Sequence, residues 1–138
     1  MPADDVIHGA VKNALTKDGW TITADPYVLE YEEIRLFADL RAERPIAAER
    51  AEQRIVIEIK SFLGPSPMRE LELALGQYDI YRGLLEVIAP ECRLYLAVGK
   101  EIHEKVFKGK GVQMIMNRYQ VSLIVVDLTA EEIVQWIN

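Results

Sequence analysis

The stretch Arg54-Ile55-Val56-Ile57-Glu58-Ile59-Lys60-Ser61-Phe62 decides the fold of this chain. Isoleucine recurs in it at every second position, and this period of two predicts a β-strand that is buried on one face. Side chains at i and i+2 leave a strand on the same side, so Glu58 and Lys60 share a face, about 7 Å apart along the strand. Placing two charged groups in so hydrophobic a strand costs desolvation free energy. We therefore expect this pair to have a function.

The composition limits the class of protein. The chain has 138 residues, 50% of them hydrophobic, which predicts one domain over residues 1–138. Its single cysteine, Cys92, excludes an internal disulfide and a multi-cysteine zinc site. No apolar run reaches the roughly 20 residues that span a bilayer, and the acidic start Met1–Asp5 does not resemble a signal peptide. We expect a cytoplasmic protein with no membrane partner.

The net charge of −6 disfavours a protein that coats nucleic acid without specificity, because such binding depends on many Lys and Arg contacts to phosphates. A local excess of basic residues occurs over 100–118. A solvated surface is the favoured interpretation of this excess, with contact to a phosphate backbone or an acidic partner as the alternatives.

Hydrophobic periodicity predicts a first helix over residues 4–17, where an apolar stripe runs from Val6 to Leu15. Its polar side carries Asp5, His8 and Lys12. Residues of this kind can line a site, but a capping or surface role is the favoured interpretation.

Several short strands are predicted between this helix and the opening stretch. Residues 20–23 form one, and residues 27–39 form one or two, the second at 36–39. Arg44-Pro45 is predicted to be a turn. Strand-like runs around a short polar segment then indicate an antiparallel hairpin that leads into Arg54–Phe62.

The second half of the chain alternates between helices and strands. Ser66 and Pro67 predict the start of a helix that runs to about Val87. The remaining predicted elements are strands at 93–98 and 121–126 and helices at 101–107 and 112–118. The closing segment 131–138 is predicted to be a strand, with a helix capped by Thr129 and Glu132 as the alternative. A hairpin group followed by strand–helix–strand crossovers predicts an α/β fold of three layers, with a mixed central sheet and helices on both faces.

A second carboxylate, Asp39, lies near the end of a strand that we expect to neighbour Glu58. Two carboxylates from adjacent strands can share a hard divalent cation such as Mg2+ or Mn2+. The cation can polarise a phosphoryl oxygen and lower the pKa of a bound water. Lys60 can orient the water or stabilise the phosphate charge. The predicted site is therefore Asp39, Glu58 and Lys60, with Asp39 and Glu58 as metal ligands and Glu49 as the alternative second acid.

These residues resemble the PD-(D/E)xK nuclease core, in which a helix, three strands, a helix and a further strand follow in order. Gln77 and Tyr81 match the Q-x-x-x-Y motif of the RecB-like branch, and at i and i+4 they share a helix face. The resemblance implies a restriction-endonuclease-like fold, with Gln77 and Tyr81 supporting the active site and contacting substrate. Ala38 stands where the family pattern has proline before the acid.

Over essentially its whole length the sequence also resembles the XisH family of cyanobacteria. The matching segments are residues 5–23, 47–49, 56–62, 74–78 and 133–137. The resemblance implies a controlling factor for excision of the fdxN element, a DNA insertion that is removed by site-specific recombination as heterocysts differentiate. It also implies two partners, an XisI-like protein and a site-specific recombinase.

Two hypotheses follow. In the first, the chain is a Mg2+-dependent DNA endonuclease that uses Asp39, Glu58 and Lys60. In the second, it is a non-catalytic regulatory protein that retains the nuclease fold and acts through a partner such as XisI or the recombinase. The acidic net charge favours the second hypothesis, and the intact carboxylates and lysine favour the first. Assembly into a homo-oligomer stays open under both.

Overall fold

The structure is a computed structural model that describes residues 3–46 and 51–138. The eight strands that these residues form are β1 (Thr21–Ala24), β2 (Tyr27–Tyr31), β3 (Ile34–Ala38), β4 (Leu40–Ile46), β5 (Ala51–Ile59), β6 (Cys92–Gly99), β7 (Leu123–Asp127) and β8 (Glu132–Ile137). The helices are α1 (Ala3–Lys17), α2 (Pro67–Ile88), α3 (Lys100–Ile102) and α4 (Lys110–Arg118). A π-helical turn, His103–Phe107, lies between α3 and α4.

The centre of the fold is a six-stranded sheet in the order β1-β4-β5-β6-β7-β8, while β2 and β3 pair as a separate two-stranded sheet. Strand β4 is antiparallel to both β1 and β5, strands β5, β6 and β7 are parallel, and β8 is antiparallel to β7. Strand β5 therefore lies where the sheet changes from antiparallel to parallel. The predicted mixed α/β fold is confirmed.

The sheet separates two hydrophobic cores. On one face, Val11 and Leu15 of α1 pack with Trp20 against Ile55 and Ile57 of β5. On the other face, residues of α2, the β2–β3 hairpin, the π-helical turn and α4 pack against the sheet; they include Leu29, Leu71, Tyr78, Phe107 and Met116. The predicted three layers, with helices on both faces, are confirmed.

Strand β5 is buried on both faces, whereas the sequence predicted burial on one. Ile55 and Ile57 face α1, and Val56, on the opposite face, is also fully buried. Glu58 is on the same face as Val56 and is only 6% exposed. The reason is that α2 and the β2–β3 hairpin cover this face. The charged pair therefore lies at the edge of a core and not on an open surface.

The predicted turn at Arg44-Pro45 is wrong, because both residues lie within β4. Pro45 pairs with Glu52 of β5, but the pairing of β4 with β1 ends at Glu43. Proline has no backbone N–H to donate and is tolerated where no neighbouring strand needs one. Beyond the end of β1, that side of β4 has no such neighbour among the described residues.

Most of the other predicted elements are confirmed with small changes in their bounds. The side chain of Ser66 caps α2 by accepting a hydrogen bond from the Arg69 N–H, and the closing segment is strand β8. The strand predicted at 36–39 is β3, which pairs with β2. Among residues 3–46 and 51–138, no helix is long and apolar enough to cross a membrane.

Candidate active site

Three of the predicted site residues meet at the end of strand β5. Asp39 lies between β3 and β4, and the first residue of β4, Leu40, pairs with Ile57. This register brings Asp39 beside the last residues of β5, where Glu58 lies, and Lys60 follows directly after the strand. The structure therefore brings together the two carboxylates and the lysine.

The carboxylates of Asp39 and Glu58 each accept a hydrogen bond from a backbone N–H of the neighbouring segment. The Asp39 N–H donates a hydrogen bond to Glu58 Oε1 at 3.2 Å. In return, the Ile59 N–H donates to Asp39 Oδ2 at 2.7 Å. The two bonds fix both carboxylates in position on the sheet.

Lys60 completes the site. Its Nζ lies 3.5 Å from Glu58 Oε2, and its side chain is 32% exposed whereas that of Glu58 is 8% exposed. The lysine therefore reaches from the solvent side toward a carboxylate that is almost completely buried.

The site opens into a polar pocket of about 330 Å³. Besides Asp39, Glu58 and Lys60, the pocket is lined by Asp4 of α1 and Glu70 of α2. Both of these acids are in the first turns of their helices, and Glu70 Oε2 also accepts a hydrogen bond from the Gly64 N–H at 3.0 Å. The sequence did not single out either acid for the site, because a first-turn acid is commonly explained by the helix dipole.

Phe62, three residues after the end of β5, has an unusual backbone conformation. This residue has a φ of +53°, which is unusual for a bulky side chain. Its ring is buried and packs edge-on against Phe107 at a centroid distance of 5.4 Å. Packing of the ring stabilises this backbone conformation at a residue that lines the pocket.

Burial and the neighbouring Asp39 raise the pKa of Glu58 to about 8, although Lys60 and the Asp39 N–H both act to lower it. A carboxyl group with such a pKa carries a proton at neutral pH. With both acids ionised, the site would have two negative charges against the single positive charge of Lys60, and a bound cation would neutralise this excess in place of the proton.

His8 of α1 lies beside the site, although the sequence favoured a capping or surface role for it. Its Nε2 is 2.8 Å from Asp25 Oδ1, and its Nδ1 is 3.9 Å from Asp39 Oδ1. Lys12 contacts the other oxygen of Asp25 at 2.7 Å. Burial raises the pKa of Asp25, but the hydrogen bonds from Lys12 and His8 outweigh it, so that the pKa lies below its usual value. The spacing of Asp4, His8 and Lys12 by four residues was a usable signal, because it places all three on one helix face.

Gln77 and Tyr81 of α2 brace the backbone next to Asp39. Gln77 Nε2 donates a hydrogen bond to Tyr81 Oη at 2.8 Å, and the Tyr81 hydroxyl donates to the carbonyl oxygen of Phe37 at 2.8 Å. Burial raises the pKa of Tyr81, and the nearby charges of Glu58 and Asp39 raise it further. Because Phe37 is two residues before Asp39, this chain of contacts ties α2 to the strand end that carries the carboxylate. Contact of Gln77 and Tyr81 with a substrate stays a prediction.

Replacement of Tyr81 with phenylalanine is expected to lower the free energy of unfolding by about 1–2 kcal/mol, because Gln77 and the Phe37 carbonyl both lose a partner at a buried position. Urea denaturation of the two proteins measures the difference. Tyr119→Phe, at a residue that is 47% exposed, is the matched control. Equal effects of the two substitutions would contradict the bracing role.

The carboxylate oxygens of Asp39 and Glu58 are ligands of the kind that a hard divalent cation takes. Within the described parts of the chain, no three His, Cys, Asp or Glu side chains form a group that could hold a metal ion. Asp39 and Glu58 would thus supply two carboxylate ligands, and water would supply the rest, which is a common arrangement for Mg2+. Glu49, the alternative acid, lies in 47–50, outside the described residues.

Comparison with known proteins gives consistent matches over the whole fold. The family model for the XisH protein matches residues 1–134. The crystal structure of an XisH family protein from Nostoc punctiforme PCC 73102 is 39% identical with a TM-score of 0.88, and the match covers 97% of this chain and 100% of that one. The crystal structure of an fdxN element excision controlling factor protein from Anabaena variabilis is 40% identical with a TM-score of 0.88, and the match covers 97% of this chain and 99% of that one. No curated protein matches the chain.

Proposed function

The chain belongs to the XisH family, and we propose that it controls the excision of a DNA element by means of a metal-dependent site that cleaves phosphodiester bonds. The relative from Anabaena variabilis is described as an fdxN element excision controlling factor protein, which supports the excision role. The observation that carries the nuclease activity is the convergence of Asp39, Glu58 and Lys60 in one open pocket.

The three residues have distinct roles in this proposal. Asp39 and Glu58 hold Mg2+ or Mn2+, and the bound cation supplies polarisation of the phosphoryl oxygen and a water of lowered pKa. Lys60 projects into the same pocket and stabilises the negative charge that develops on the phosphate. Because the backbone hydrogen bonds fix both carboxylates before substrate arrives, little reorganisation is needed during the reaction.

The proposal includes a restriction-endonuclease-like fold. Supporting it, α1, the antiparallel strands β1, β4 and β5, helix α2 and then β6 follow in the order of the PD-(D/E)xK core. In this interpretation the β2–β3 hairpin is an insertion between the first two core strands. Gln77 and Tyr81 then support the site through Phe37.

A second candidate function is a non-catalytic regulator that acts through an XisI-like protein or a recombinase. It is favoured by the net charge of −6, which weakens general attraction to DNA. The contact between Glu58 and Lys60 would then have a structural role only.

Incubation with supercoiled, linear and branched DNA, with Mg2+ or Mn2+ and with a chelator, tests the proposal. We expect cleavage of at least one of these substrates that requires the metal and is absent in Asp39→Asn, a variant that keeps an acceptor for the Ile59 N–H. Asp79→Asn, at an exposed residue outside the pocket, is the control and should cleave like the unmodified protein. Absence of cleavage on every substrate, together with binding to an XisI-like protein, would establish the regulatory alternative instead.

A further inference from the structure

The outer face of α2 carries an exposed apolar seam. Leu73, Ile80 and Val87 recur at intervals of seven residues, and their exposed fractions are 57%, 57% and 59%. Gly76 and Gly83 lie between them on the same face. We call these five residues the α2 seam. The spacing of three and four residues is that of a helix that packs lengthwise against another helix.

Nothing within the described chain accounts for the two glycines. A Cβ at Gly76 or at Gly83 would have no neighbouring atom within 4 Å. Both glycines have helical positions well inside α2, where glycine is a poorer helix former than alanine. The empty space above each of them can hold a side chain that comes from outside the chain.

The apolar surface extends to both sides of Gly76. A hollow of about 460 Å³ lies toward α4 and is lined by Met68, Leu75 and Met114. A second hollow, of about 520 Å³, lies toward the β2–β3 hairpin and is lined by Leu36 and Ile80. Contiguous apolar surface of this kind on a small domain marks a site of protein contact.

We propose that the α2 seam binds the α2 seam of a second copy of this chain in antiparallel orientation. One register of the two helices sets Leu73 opposite Gly83 of the second copy and Ile80 opposite Gly76 of the second copy. The two-fold symmetry of a dimer repeats both contacts with the copies exchanged. Leu73 and Ile80 then each fill the space above a glycine. A parallel pair would instead set glycine against glycine and leave gaps.

The charges at the ends of the seam fit the same register. Arg69 then lies over Val87 of the second copy, next to Glu86 of the second copy, and symmetry gives this contact twice. Arg69 is also adjacent to Glu72 of its own helix at i+3, so it separates the two carboxylates. Asp79, near the centre, is already paired with Arg82 at 2.8 Å. The match of Leu73 and Ile80 to the two glycines of an identical helix, together with the contact of Arg69 with Glu86 of the second copy, favours a second copy over an unrelated helix.

Sedimentation of the full chain over about a hundredfold range of concentration tests the association. We expect a reversible change from monomer to dimer. Ile80→Ser and Gly76→Leu should each raise the dimer dissociation constant by about tenfold or more. Val6→Ser, on α1 at a residue that is 55% exposed, is the matched control and should leave the constant unchanged. Circular dichroism and thermal unfolding check that each variant folds.

The Gly76→Leu variant separates the proposal from non-specific association. If the copies associated only through non-specific hydrophobic contact, an added leucine would strengthen the association. In the proposed dimer, the leucine instead occupies the space that Ile80 of the second copy needs, and the association weakens. Dimerisation that increases in Gly76→Leu, or a chain that stays monomeric at every concentration, would overturn the proposal. In the second case, a different protein covers the seam.

Disulfide formation tests the orientation. On a background with the buried Cys92 replaced by alanine, Leu73→Cys and Gly83→Cys proteins are oxidised separately and as a mixture. Antiparallel pairing predicts rapid crosslinking only in the mixture. Rapid crosslinking of Leu73→Cys with itself would indicate parallel helices and would contradict the proposed geometry.

Discussion

Replacing Lys60 with alanine is expected to lower the rate of metal-dependent DNA cleavage by about 10²–10⁴-fold. The ammonium group lies 3.5 Å from Glu58 and projects into the pocket that a phosphate would enter. Among the described residues, Lys60 is the only positively charged one that lines this pocket. Its removal leaves the backbone hydrogen bonds of both carboxylates in place. The initial rate of plasmid nicking at saturating Mg2+ measures the loss.

The Lys60 result needs a control for general loss of positive charge. Lys108→Ala removes an exposed lysine after the π-helical turn and should cleave at nearly the unmodified rate. Mg2+ should still raise the free energy of unfolding of Lys60→Ala, because the lysine is not one of the proposed metal ligands. A Lys60→Ala protein that cleaves as fast as Lys108→Ala would show that Lys60 has no part in the reaction.

Replacing Glu58 with glutamine is expected to raise the free energy of unfolding at pH 9 by about 2–4 kcal/mol. The pKa of Glu58 is raised from 4.5 to about 8 by burial and by Asp39, so the folded protein holds a proton that the unfolded chain releases at lower pH. The stability contributed by this proton is complete below pH 4.5, decreases as the pH rises and is lost above pH 8. Glutamine removes the dependence because it does not ionise.

Urea denaturation between pH 5 and pH 9 measures this effect. The unmodified protein should lose stability over this range, and the difference from Glu58→Gln should grow with pH. Mg2+ should recover part of the loss in the unmodified protein at high pH and should have little effect on Glu58→Gln, because the cation replaces the proton between the carboxylates. Glu72→Gln, an exposed glutamate on α2, is the control. Parallel pH profiles for all three proteins would contradict a buried, proton-binding Glu58.

The sequence was most informative where a local signal has one structural meaning. Ser66 and Pro67 define the start of α2, and alternation over Arg54–Ile59 defines β5. The same alternation placed Glu58 and Lys60 on one face, and their chemical types suggested a partner acid. The structure brings Asp39 to them through the register of β4 with β5.

Alternation shows which side chains share a face but not what covers that face. The burial of Val56 and Glu58 depends on the β2–β3 hairpin and α2, which pack there from distant parts of the chain. The predicted turn at Pro45 is wrong for a related reason, since a strand tolerates proline only where no neighbouring strand needs its N–H, and the sequence does not show where that neighbour ends. Asp4, Glu70 and His8 each have a sufficient local explanation as charged or polar residues on a helix surface. Only the packing of α1 and α2 around the end of β5 shows that Asp4 and Glu70 line the pocket and that His8 lies beside Asp39.

The position of Asp39 has a mechanical consequence. It is the single residue between β3 of the small sheet and β4 of the large one, so it is the hinge between two sheets. Its carboxylate accepts a hydrogen bond from Ile59 of β5. The carbonyl of Phe37, two residues earlier, accepts one from Tyr81 of α2. A force that swings the hairpin, whether from a bound protein or from a DNA strand, is therefore transmitted to the carboxylate itself. Displacement of the hairpin would change the position of one of the two carboxylates and, with it, the distance between them.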